Sequence, residues 1–288
     1  MKIKYTKLDN WVEKIIVDPL GKESLTKVFY EDIFFLNTNY HKKYPIFDGI
    51  YDLRLLKGDV TNDQKTWVEG QKEYEEFSNT FILDDNLDYE SELKGMSKVY
   101  QEIPVTGRCL DVGGNKGTLR EFLNDDQEYI TCDPFLNVFQ NIEDRSNYLN
   151  TYKCLNQPVN FICCNAEYLP FKSNSFDTVH MRSVIDHFLN PESALLEAYR
   201  VLNKEGSLIV GLYVYGGKKG KVSFIRKLKD MIKNILPFIG IHRYTDHHTW
   251  HPTFKELKGL ITTCGFDISR VYWQTDSVCY ISALKASS

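Results

Sequence analysis

A glycine-rich turn is the stretch of this sequence best suited to bind a ligand. Gly113, Gly114 and Gly117 follow an apolar segment, and Asp111 lies two residues before the first glycine. Glycines let a ligand approach the backbone, and a helix starting near Thr118 would direct free N–H groups at the turn. The spacing differs from the Gly-x-Gly-x-x-Gly of dinucleotide sites, and the Asp111 carboxylate would repel a pyrophosphate. A ligand with a positive charge is therefore the better match.

A second carboxylate follows at the end of the next predicted strand, about twenty residues beyond the first glycine. Asp133 can accept hydrogen bonds from both hydroxyls of a ribose, which neutral side chains do less well. Because NAD-binding folds use an acid at the same place, Asp133 alone does not distinguish between nucleotide cofactors.

Histidines are the candidate groups for acid–base chemistry. His247, His248 and His251 lie after Asp246, past the fifth predicted strand, and His187 follows the fourth. Imidazole at its ordinary pKa suits general-base work, and a carboxylate beside it can fix its tautomer. We therefore expect segment 246–251 to supply a general base, with His248 favoured over His251, His247 and His187. For each histidine taken alone, a packing or surface role is the alternative.

The run Asp111-Val-Gly-Gly-Asn-Lys-Gly117 resembles the first motif of class I S-adenosylmethionine-dependent methyltransferases, acid-x-Gly-x-Gly-x-Gly. In that family the acid lies near the amino group of the methionine moiety. Asn115 replaces the middle glycine, and because asparagine tolerates the left-handed backbone region, we expect the turn to keep its shape. The resemblance implies S-adenosyl-L-methionine as the cofactor.

Segment 165–177, Asn-Ala-Glu-Tyr-Leu-Pro-Phe-Lys-Ser-Asn-Ser-Phe-Asp, resembles the branch of that family with the quinone-biosynthesis enzymes, methyltransferase type 11. There an acid and the next backbone amide read the adenine edge. Asn165 replaces this acid, and its carbonyl can accept from the exocyclic amine while the Ala166 N–H donates to a ring nitrogen. The resemblance covers 107–212 and implies these cofactor-binding residues: Asp111, Gly113, Gly114, Asn115, Gly117, Asp133, Pro134, Asn165, Ala166, Glu167, Met181 and Arg182.

Apolar runs alternate with amphipathic stretches over residues 104–288, which are expected to form the methyltransferase domain. Strands are predicted near 108–112, 129–132, 160–163, 177–181, 207–212, 268–274 and 278–284, and helices near 118–124, 191–202 and 253–264. This alternation is typical of an α/β fold, here a Rossmann-like, seven-stranded, mostly parallel sheet with helices on both faces. In the resembling family the last strand runs antiparallel.

Residues 1–58 are predicted to form a small β-rich unit with a helix near 8–15 and strands within 26–37 and 44–55. Its segment Tyr44-Pro-Ile-Phe-Asp-Gly-Ile-Tyr51 resembles the zinc-ribbon-like activator subunits of tRNA and translation-factor methyltransferases. The cysteines of that family's zinc site are missing, and Asp18 and Gly21 stand roughly where the first pair would be. Since no thiolate ligands are present, we expect a unit without zinc, and we predict no metal site.

Two further segments are expected to cover the site. Residues 59–103 are predicted to form a helical cap or a linker, with Tyr74 and Tyr89 as candidate contacts. An insertion at 216–250 is rich in lysine and arginine and carries an apolar helical face, which favours a lid. Two alternatives stay open for it: peripheral membrane contact through 222–236, and recognition of an anionic sugar phosphate.

The composition narrows the class of protein. The chain has 288 residues, a net charge of -4 and 42% hydrophobic residues, which gives no reason to invoke nucleic acid. No signal peptide or membrane span is recognisable, so we expect a cytoplasmic protein whose seven cysteines are buried thiols. The expected function is methylation of a small molecule or glycan precursor, with oxygen preferred. An RNA or protein methyltransferase and a non-catalytic scaffold of the same fold are the alternatives.

Overall fold

Strands and helices alternate along the chain in the computed structural model, which describes residues 5–30, 33–37, 42–55, 65–80, 88–220 and 248–286. Its strands are β1 (Thr6–Lys7), β2 (Thr26–Tyr30), β3 (Ile33–Asn37), β4 (Lys43–Phe47), β5 (Ile50–Asp52), β6 (Cys109–Val112), β7 (Tyr129–Asp133), β8 (Val159–Cys163), β9 (Phe176–Arg182), β10 (Leu202–Tyr213), β11 (Phe266–Trp273) and β12 (Val278–Lys285). Its α-helices are α1 (Asn10–Ile15), α2 (Lys65–Thr80), α3 (Tyr89–Glu102), α4 (Ser146–Thr151), α5 (Pro191–Val201) and α6 (Phe254–Thr263).

The predicted α/β sheet is confirmed. Strands β8, β7, β6, β9 and β10 run parallel in that order, and β12 lies antiparallel between β10 and β11. Each of the seven predicted strands is present. The sheet continues beyond them, because β1 and β5 both pair in parallel with β8, and β4, β3 and β2 follow. The N-terminal strands thus cover the edge of β8 that a seven-stranded sheet would leave unpaired.

Both faces of the central strands are buried, which explains their nearly continuous apolar sequences. On one face, Leu110 and Val112 pack with the apolar residues of α5 and α6. On the other, Cys109 and Tyr129 pack with Met96 and other residues of α3. Side chains alternate between the faces along β6, so Asp111 faces α3, on the side opposite to Leu110 and Val112.

The helix predicted at 118–124 is wrong in type and length. A 3-10 helix at Thr118–Phe122 follows Gly117, and the backbone is extended again at Leu123. A 3-10 helix rises about 2.0 Å per residue, more than an α-helix, so a few residues suffice to bring this short connection back towards β7. The two longer predicted helices form with local caps. The Asn190 side chain caps α5, and Thr253 and Glu256 form a capping box on α6.

The loop that contains Asp18 and Gly21 is closed by hydrogen bonds. Asp18 is buried, and its carboxylate accepts from the N–H groups of Leu20 and Gly21, at 2.9 and 2.6 Å, and from the Tyr44 hydroxyl at 2.8 Å. This carboxylate holds the loop between α1 and β2 against β4. The zinc-free character of residues 1–58 stays a prediction.

The predicted lid lies largely outside the described residues, which omit 221–247. Asp246, His247 and the proposed membrane-contact segment 222–236 fall in that range. Within the part of the chain that is described, no helix combines the length and the apolar character needed to traverse a bilayer.

Candidate active site

A cavity of about 200 Å³ lies at the carboxyl ends of β6, β7, β8 and β9. Parallel strands bring their carboxyl ends to one edge of a sheet, which is where this class of fold binds ligands. The lining residues come from these strand ends, the loops after them and α2: Trp67, Gln71, Tyr74, Val112, Gly113, Asn115, Cys132, Asp133, Pro134, Phe135, Cys164, Asn165, Ala166, Glu167, Ser183, Val184, His187 and Phe188.

The glycine-rich turn forms the floor of this cavity. Gly113 has φ +69°, and a Cβ atom there would lie 2.5 Å from Cγ1 of Val184, so a larger residue would not fit. Asn115 has φ +48°, as the sequence analysis expected of an asparagine in place of the middle glycine. Its backbone N–H points at Asp133 and donates to the carboxylate at 3.2 Å.

Asp133 is a buried carboxylate on the cavity wall. It accepts from the N–H groups of Asn115 and Phe135, each at 3.2 Å. Burial raises the pKa of Asp133 to about 7, and these two hydrogen bonds and the nearby Lys116 oppose the increase. Burial, followed by the Arg145 charge, lowers the pKa of Lys116 to about 7. The carboxylate is therefore poised to gain stabilisation from further hydrogen-bond donors, such as the hydroxyls of a ribose.

The third part of the site follows β8. Asn165 and Ala166 line the cavity, and Asn165 Oδ1 accepts the Leu55 N–H at 3.0 Å. The preceding residue, Arg54, forms a two-pronged ion pair with Asp52, and its Nη1 donates to the Pro134 carbonyl at 3.0 Å. The segment that follows β5 therefore holds two parts of the cavity wall. We name Gly113, Asn115, Asp133, Asn165 and Ala166 the cofactor cradle.

Glu167 and Pro134 complete the predicted residues that line the cavity on the cradle side. Glu167 Oε1 accepts the N–H of Asn190 at 3.2 Å, immediately before α5, and burial raises the pKa of Glu167. This carboxylate therefore joins the loop after β8 to the start of α5.

Asp111 does not line the cavity, contrary to the expectation that it meets the amino group of the cofactor. Its Oδ2 accepts the Tyr129 hydroxyl at 2.6 Å, and its Oδ1 lies 2.7 Å from Nδ1 of His180, whose Nε2 lies 3.1 Å from the Tyr100 hydroxyl. This buried network is on the α3 face of the sheet. A Cβ atom on Gly114 would lie 2.2 Å from Asp111 Oδ2, so the glycine packs directly over the carboxylate.

Three more predicted cofactor residues lie away from the cavity lining. Gly117 starts the 3-10 helix with φ +77° and packs near Tyr129. Met181 is fully buried in the core with α5 and α6. The guanidinium of Arg182 pairs with Glu92 on α3. These three residues therefore pack against elements next to the cradle and do not line the cavity.

Helix α2 lies over the cavity. Trp67, Gln71 and Tyr74 line it, and their spacing places them on one face of the helix. Trp67 Nε1 donates to the backbone carbonyl of His187 at 3.0 Å, which attaches the helix to the loop after β9. Tyr89, the other predicted contact, instead packs against Tyr148 with ring centroids 5.0 Å apart.

Two histidines and one aspartate meet next to this cap. His187 Nε2 lies 3.8 Å from Asp186 Oδ1, and His248 Nε2 lies 3.6 Å from Asp186 Oδ2. The two imidazole centroids are 4.3 Å apart, and the Tyr74 ring is 4.5 Å from that of His187. We name Asp186, His187 and His248 the acceptor cluster.

The acceptor cluster separates the cofactor cavity from a second cavity of about 320 Å³. His187 lines the first cavity, and Asp186, His248 and His251 line the second. The His251 ring centroid is 5.4 Å from that of His248, so His251 is adjacent to the cluster. Two binding spaces thus meet at a group of side chains able to bind or move a proton or a cation.

Sequence reasoning missed Asp186; it assigned the supporting carboxylate to Asp246, which lies outside the described residues. The signal that would have found it is its position directly before His187, after a predicted strand. Trp67 and Gln71 were also missed as lining residues, although both lie within the predicted cap at 59–103. The apolar lining, including Val184 and Phe188, has no local signature in the sequence.

Comparison with known proteins agrees with this geometry. Residues 110–210 match the family described as "Methyltransferase domain". The chain carries a class I S-adenosylmethionine-dependent methyltransferase domain. In the methyltransferase domain, the match begins inside β6 and ends inside β10, and so it includes the whole cofactor cradle.

Relatives of the methyltransferase domain include quinone-biosynthesis enzymes. The mitochondrial 2-methoxy-6-polyprenyl-1,4-benzoquinol methylase of Caenorhabditis elegans is 27% identical over 62% of this chain and 65% of that protein. The ubiquinone/menaquinone biosynthesis C-methyltransferase UbiE of Campylobacter jejuni is 37% identical over 36% of this chain and 43% of that protein. The chain therefore spans less than two thirds of the length of these curated relatives.

Among solved structures, 1,6-didemethyltoxoflavin-N1-methyltransferase of Burkholderia thailandensis, bound to its substrate and S-adenosylhomocysteine, shares the fold. It aligns with a TM-score of 0.50 at 10% identity, over 91% of this chain and 99% of that one. S-adenosyl-L-methionine is the cofactor of this class of domain. The cradle fits it: Gly113 leaves room that a Cβ would fill, and the buried Asp133 carboxylate suits a ribose.

Proposed function

We propose that this protein transfers a methyl group from S-adenosyl-L-methionine to a small molecule or glycan precursor, at an oxygen. The observation that carries this proposal is the meeting of two cavities at the acceptor cluster. The first is lined by the cofactor cradle, and the second offers a separate space of about 320 Å³ for an acceptor.

The cradle binds and orients the cofactor in this proposal. Asp133 accepts from the ribose hydroxyls, and Asn165 and the Ala166 N–H pair with the adenine edge. The cofactor supplies an electrophilic methyl group when bound. Helix α2, through Trp67 and Tyr74, excludes water from the cavity, so that most of the catalysis comes from positioning.

The acceptor cluster removes the proton from the acceptor molecule. The acceptor's hydroxyl approaches His187 and His248 from the second cavity and gives its proton to one of these imidazoles. Its oxygen then bonds to the methyl carbon as the carbon–sulfur bond breaks. The products are a methyl ether, S-adenosylhomocysteine and a proton. Asp186, between the two imidazoles, offsets the positive charge that gathers there.

A second candidate reaction is methylation of a ring carbon in a quinol-like molecule. It is favoured by the names of the relatives, a benzoquinol methylase and a C-methyltransferase of quinone biosynthesis. A ring hydroxyl would still have to be deprotonated to make the carbon nucleophilic, so the same cluster would serve.

Calorimetry with S-adenosylhomocysteine tests the cradle. Wild-type protein should bind it. Asp133→Ala should weaken binding by about 1–3 kcal/mol, the usual cost of leaving a buried donor or acceptor without its hydrogen bond. The matched control is Asp125→Ala, at an exposed aspartate outside the cavity lining. Absence of binding by the wild type would favour the non-catalytic scaffold.

Product analysis tests the acceptor class. The protein is incubated with isotopically labelled S-adenosyl-L-methionine and separate pools of phenols, quinols, sugar nucleotides, total RNA and peptides. We expect label in a small-molecule pool, with the methyl group on oxygen by NMR. Label on a ring carbon would establish the second candidate, and label confined to RNA or peptide would refute a small-molecule function.

A further inference from the structure

The acceptor cluster has the composition and spacing of a cation site. Asp186, His187 and His248 each offer one ligand atom, and these three atoms lie within 4.8 Å of one another. Metal–ligand bonds of about 2.0–2.2 Å place neighbouring ligand atoms roughly 3–3.6 Å apart. His248 Nε2 lies 3.6 Å from Asp186 Oδ2 and His187 Nε2 lies 3.8 Å from Asp186 Oδ1, so each imidazole is close to this range from one oxygen of the carboxylate. Small side-chain rotations would therefore bring the three atoms around one ion.

The backbone around the cluster is fixed by contacts that need no ion. The N–H of Thr249 donates to the Asp186 carbonyl at 2.9 Å, and its hydroxyl donates to the Phe188 carbonyl at 2.6 Å. On the other side, Trp67 holds the His187 carbonyl. The ligands therefore come from two chain segments that are already joined, so little ordering is needed to bind an ion.

The types of ligand atom also suit a cation. The rings of His187 and His248 are 4.3 Å apart and share a single carboxylate, Asp186. A divalent ion uses both imidazoles in their neutral form and takes the charge of Asp186 directly. Two nitrogens and one carboxylate oxygen suit zinc, manganese, iron or cobalt better than magnesium or calcium, which prefer oxygen ligands.

We propose that Asp186, His187 and His248 bind one divalent transition-metal ion at the boundary between the two cavities. Three protein ligands leave coordination positions open, as in catalytic metal sites. In an extension that rests on the proposed function, the bound ion would stabilise negative charge developing on the acceptor oxygen, and the hydroxyl proton would then leave to solvent because both imidazoles would be ligands. The binding of the ion itself does not depend on that function.

Titration with Co²⁺ tests this site on the full chain, free of any histidine tag and treated with chelator beforehand. We expect one ion per chain by calorimetry, with visible absorption bands from the bound cobalt. Asp186→Asn and His248→Gln should each weaken binding by at least about tenfold. His251→Gln is the matched control, because His251 is adjacent to the cluster but is not one of the three ligands, and it should bind as the wild type does.

Folding of each variant is checked by S-adenosylhomocysteine binding, which the cradle provides. Cobalt binding that is absent in the wild type, unchanged by Asp186→Asn, or abolished by His251→Gln would each overturn the site. S-adenosylhomocysteine binding without cobalt binding refutes only the metal site. Cobalt binding without S-adenosylhomocysteine binding refutes only the proposed function.

Discussion

The cofactor cradle and the acceptor cluster are built in different ways. The cradle takes its residues from the ends of β6, β7 and β8, which are consecutive in the chain and adjacent in the sheet. The acceptor cluster joins the loop after β9 to a segment just before α6, with α2 packed over it. Sheet register places the first group, whereas contacts between distant loops place the second. The cradle can therefore be read from spacing in the sequence, and the cluster cannot.

The two regions also differ in how tightly they are packed. At the cradle, a Cβ atom on Gly113 would lie 2.5 Å from Val184 Cγ1, and one on the neighbouring Gly114 would lie 2.2 Å from Asp111 Oδ2, so neither position has room for a methyl group. In the acceptor cluster, side chains are partly exposed, up to 35% for His248, and the three ligand atoms lie within 4.8 Å of one another. The first region is suited to one rigid ligand and the second to an exchangeable one.

Gly114→Ala should give the largest effect, because it adds a methyl group directly beside the cradle, where there is no room for it. The new Cβ would lie 2.2 Å from Asp111 Oδ2 and 2.6 Å from Thr131 Oγ1. We expect the free energy of unfolding to fall by about 3 kcal/mol, measured by urea denaturation, with S-adenosylhomocysteine affinity falling as well.

Gly259→Ala is the control for this substitution. Gly259 lies within α6, and nothing is within 4 Å of the added Cβ, so the change should stabilise the protein by about 0.5–1 kcal/mol. A Gly114→Ala protein as stable as the wild type would show that the cradle is no tighter than the rest of the molecule.

Much of the fold and the cradle could be predicted, because each relies on local chemistry. The seven central strands, the starts of α5 and α6, and the left-handed turn at Asn115 follow from apolar runs, caps and residue type. Asp133 lies in the cavity because it ends a parallel strand next to β6. These features need no knowledge of which loops meet.

Asp111→Asn should give the next largest effect, on stability more than on binding. The carboxylate accepts from the Tyr129 hydroxyl and contacts the His180 ring. An asparagine would replace one carboxylate oxygen by an NH₂ group, so Tyr129 or His180 would face a donor in place of an acceptor. We expect the free energy of unfolding to fall by about 1–3 kcal/mol. The double variant with Tyr129→Phe should lose less than the sum of the single changes, because the two side chains interact directly.

This substitution distinguishes a structural Asp111 from one that binds the cofactor. An unchanged free energy of unfolding, together with a large loss of S-adenosylhomocysteine affinity, would show that Asp111 binds the cofactor. It would also show that the buried network rearranges when the cofactor binds.

Two sequence predictions concern the carboxylates Asp111 and Asp246. Asp111 was assigned to the cofactor from its place in a motif, although alternation along β6 turns it to the face opposite Leu110 and Val112. Asp246 was chosen as the carboxylate because it is near His248 in sequence; it lies outside the described residues, and Thr249 brings the described part of that loop to Asp186. Neither packing arrangement has a local signature.

The pH dependence of cofactor binding should give an intermediate effect. Burial raises the pKa of Asp133 to about 7, and only the ionised carboxylate accepts from both ribose hydroxyls. S-adenosylhomocysteine affinity should therefore rise about tenfold from pH 6 to pH 8, as the ionised fraction grows. Lys116, whose pKa burial and Arg145 lower to about 7, loses its charge over the same range.

Asp133→Asn separates these two groups. Its affinity should be lower and nearly independent of pH, because the carboxylate that titrates is gone. If the dependence persists in Asp133→Asn and disappears in Lys116→Met, the lysine controls binding and the role given to Asp133 is incorrect.

Trp67→Phe should give the smallest effect, and it changes the contact between α2 and the acceptor cluster. The substitution keeps most of the apolar contact of a nearly buried side chain but removes the hydrogen bond to the His187 carbonyl, worth about 1 kcal/mol. Because this bond joins α2 to the loop that carries the acceptor cluster, amide exchange in α2 should become about fivefold faster, while S-adenosylhomocysteine affinity changes little. Lys72→Ala, on the exposed face of the same helix, is the control and should leave the exchange rate as it is. A large loss of affinity without faster exchange would mean that α2 belongs with the cradle, and that the cofactor site depends on a contact between distant parts of the chain as much as the cluster does.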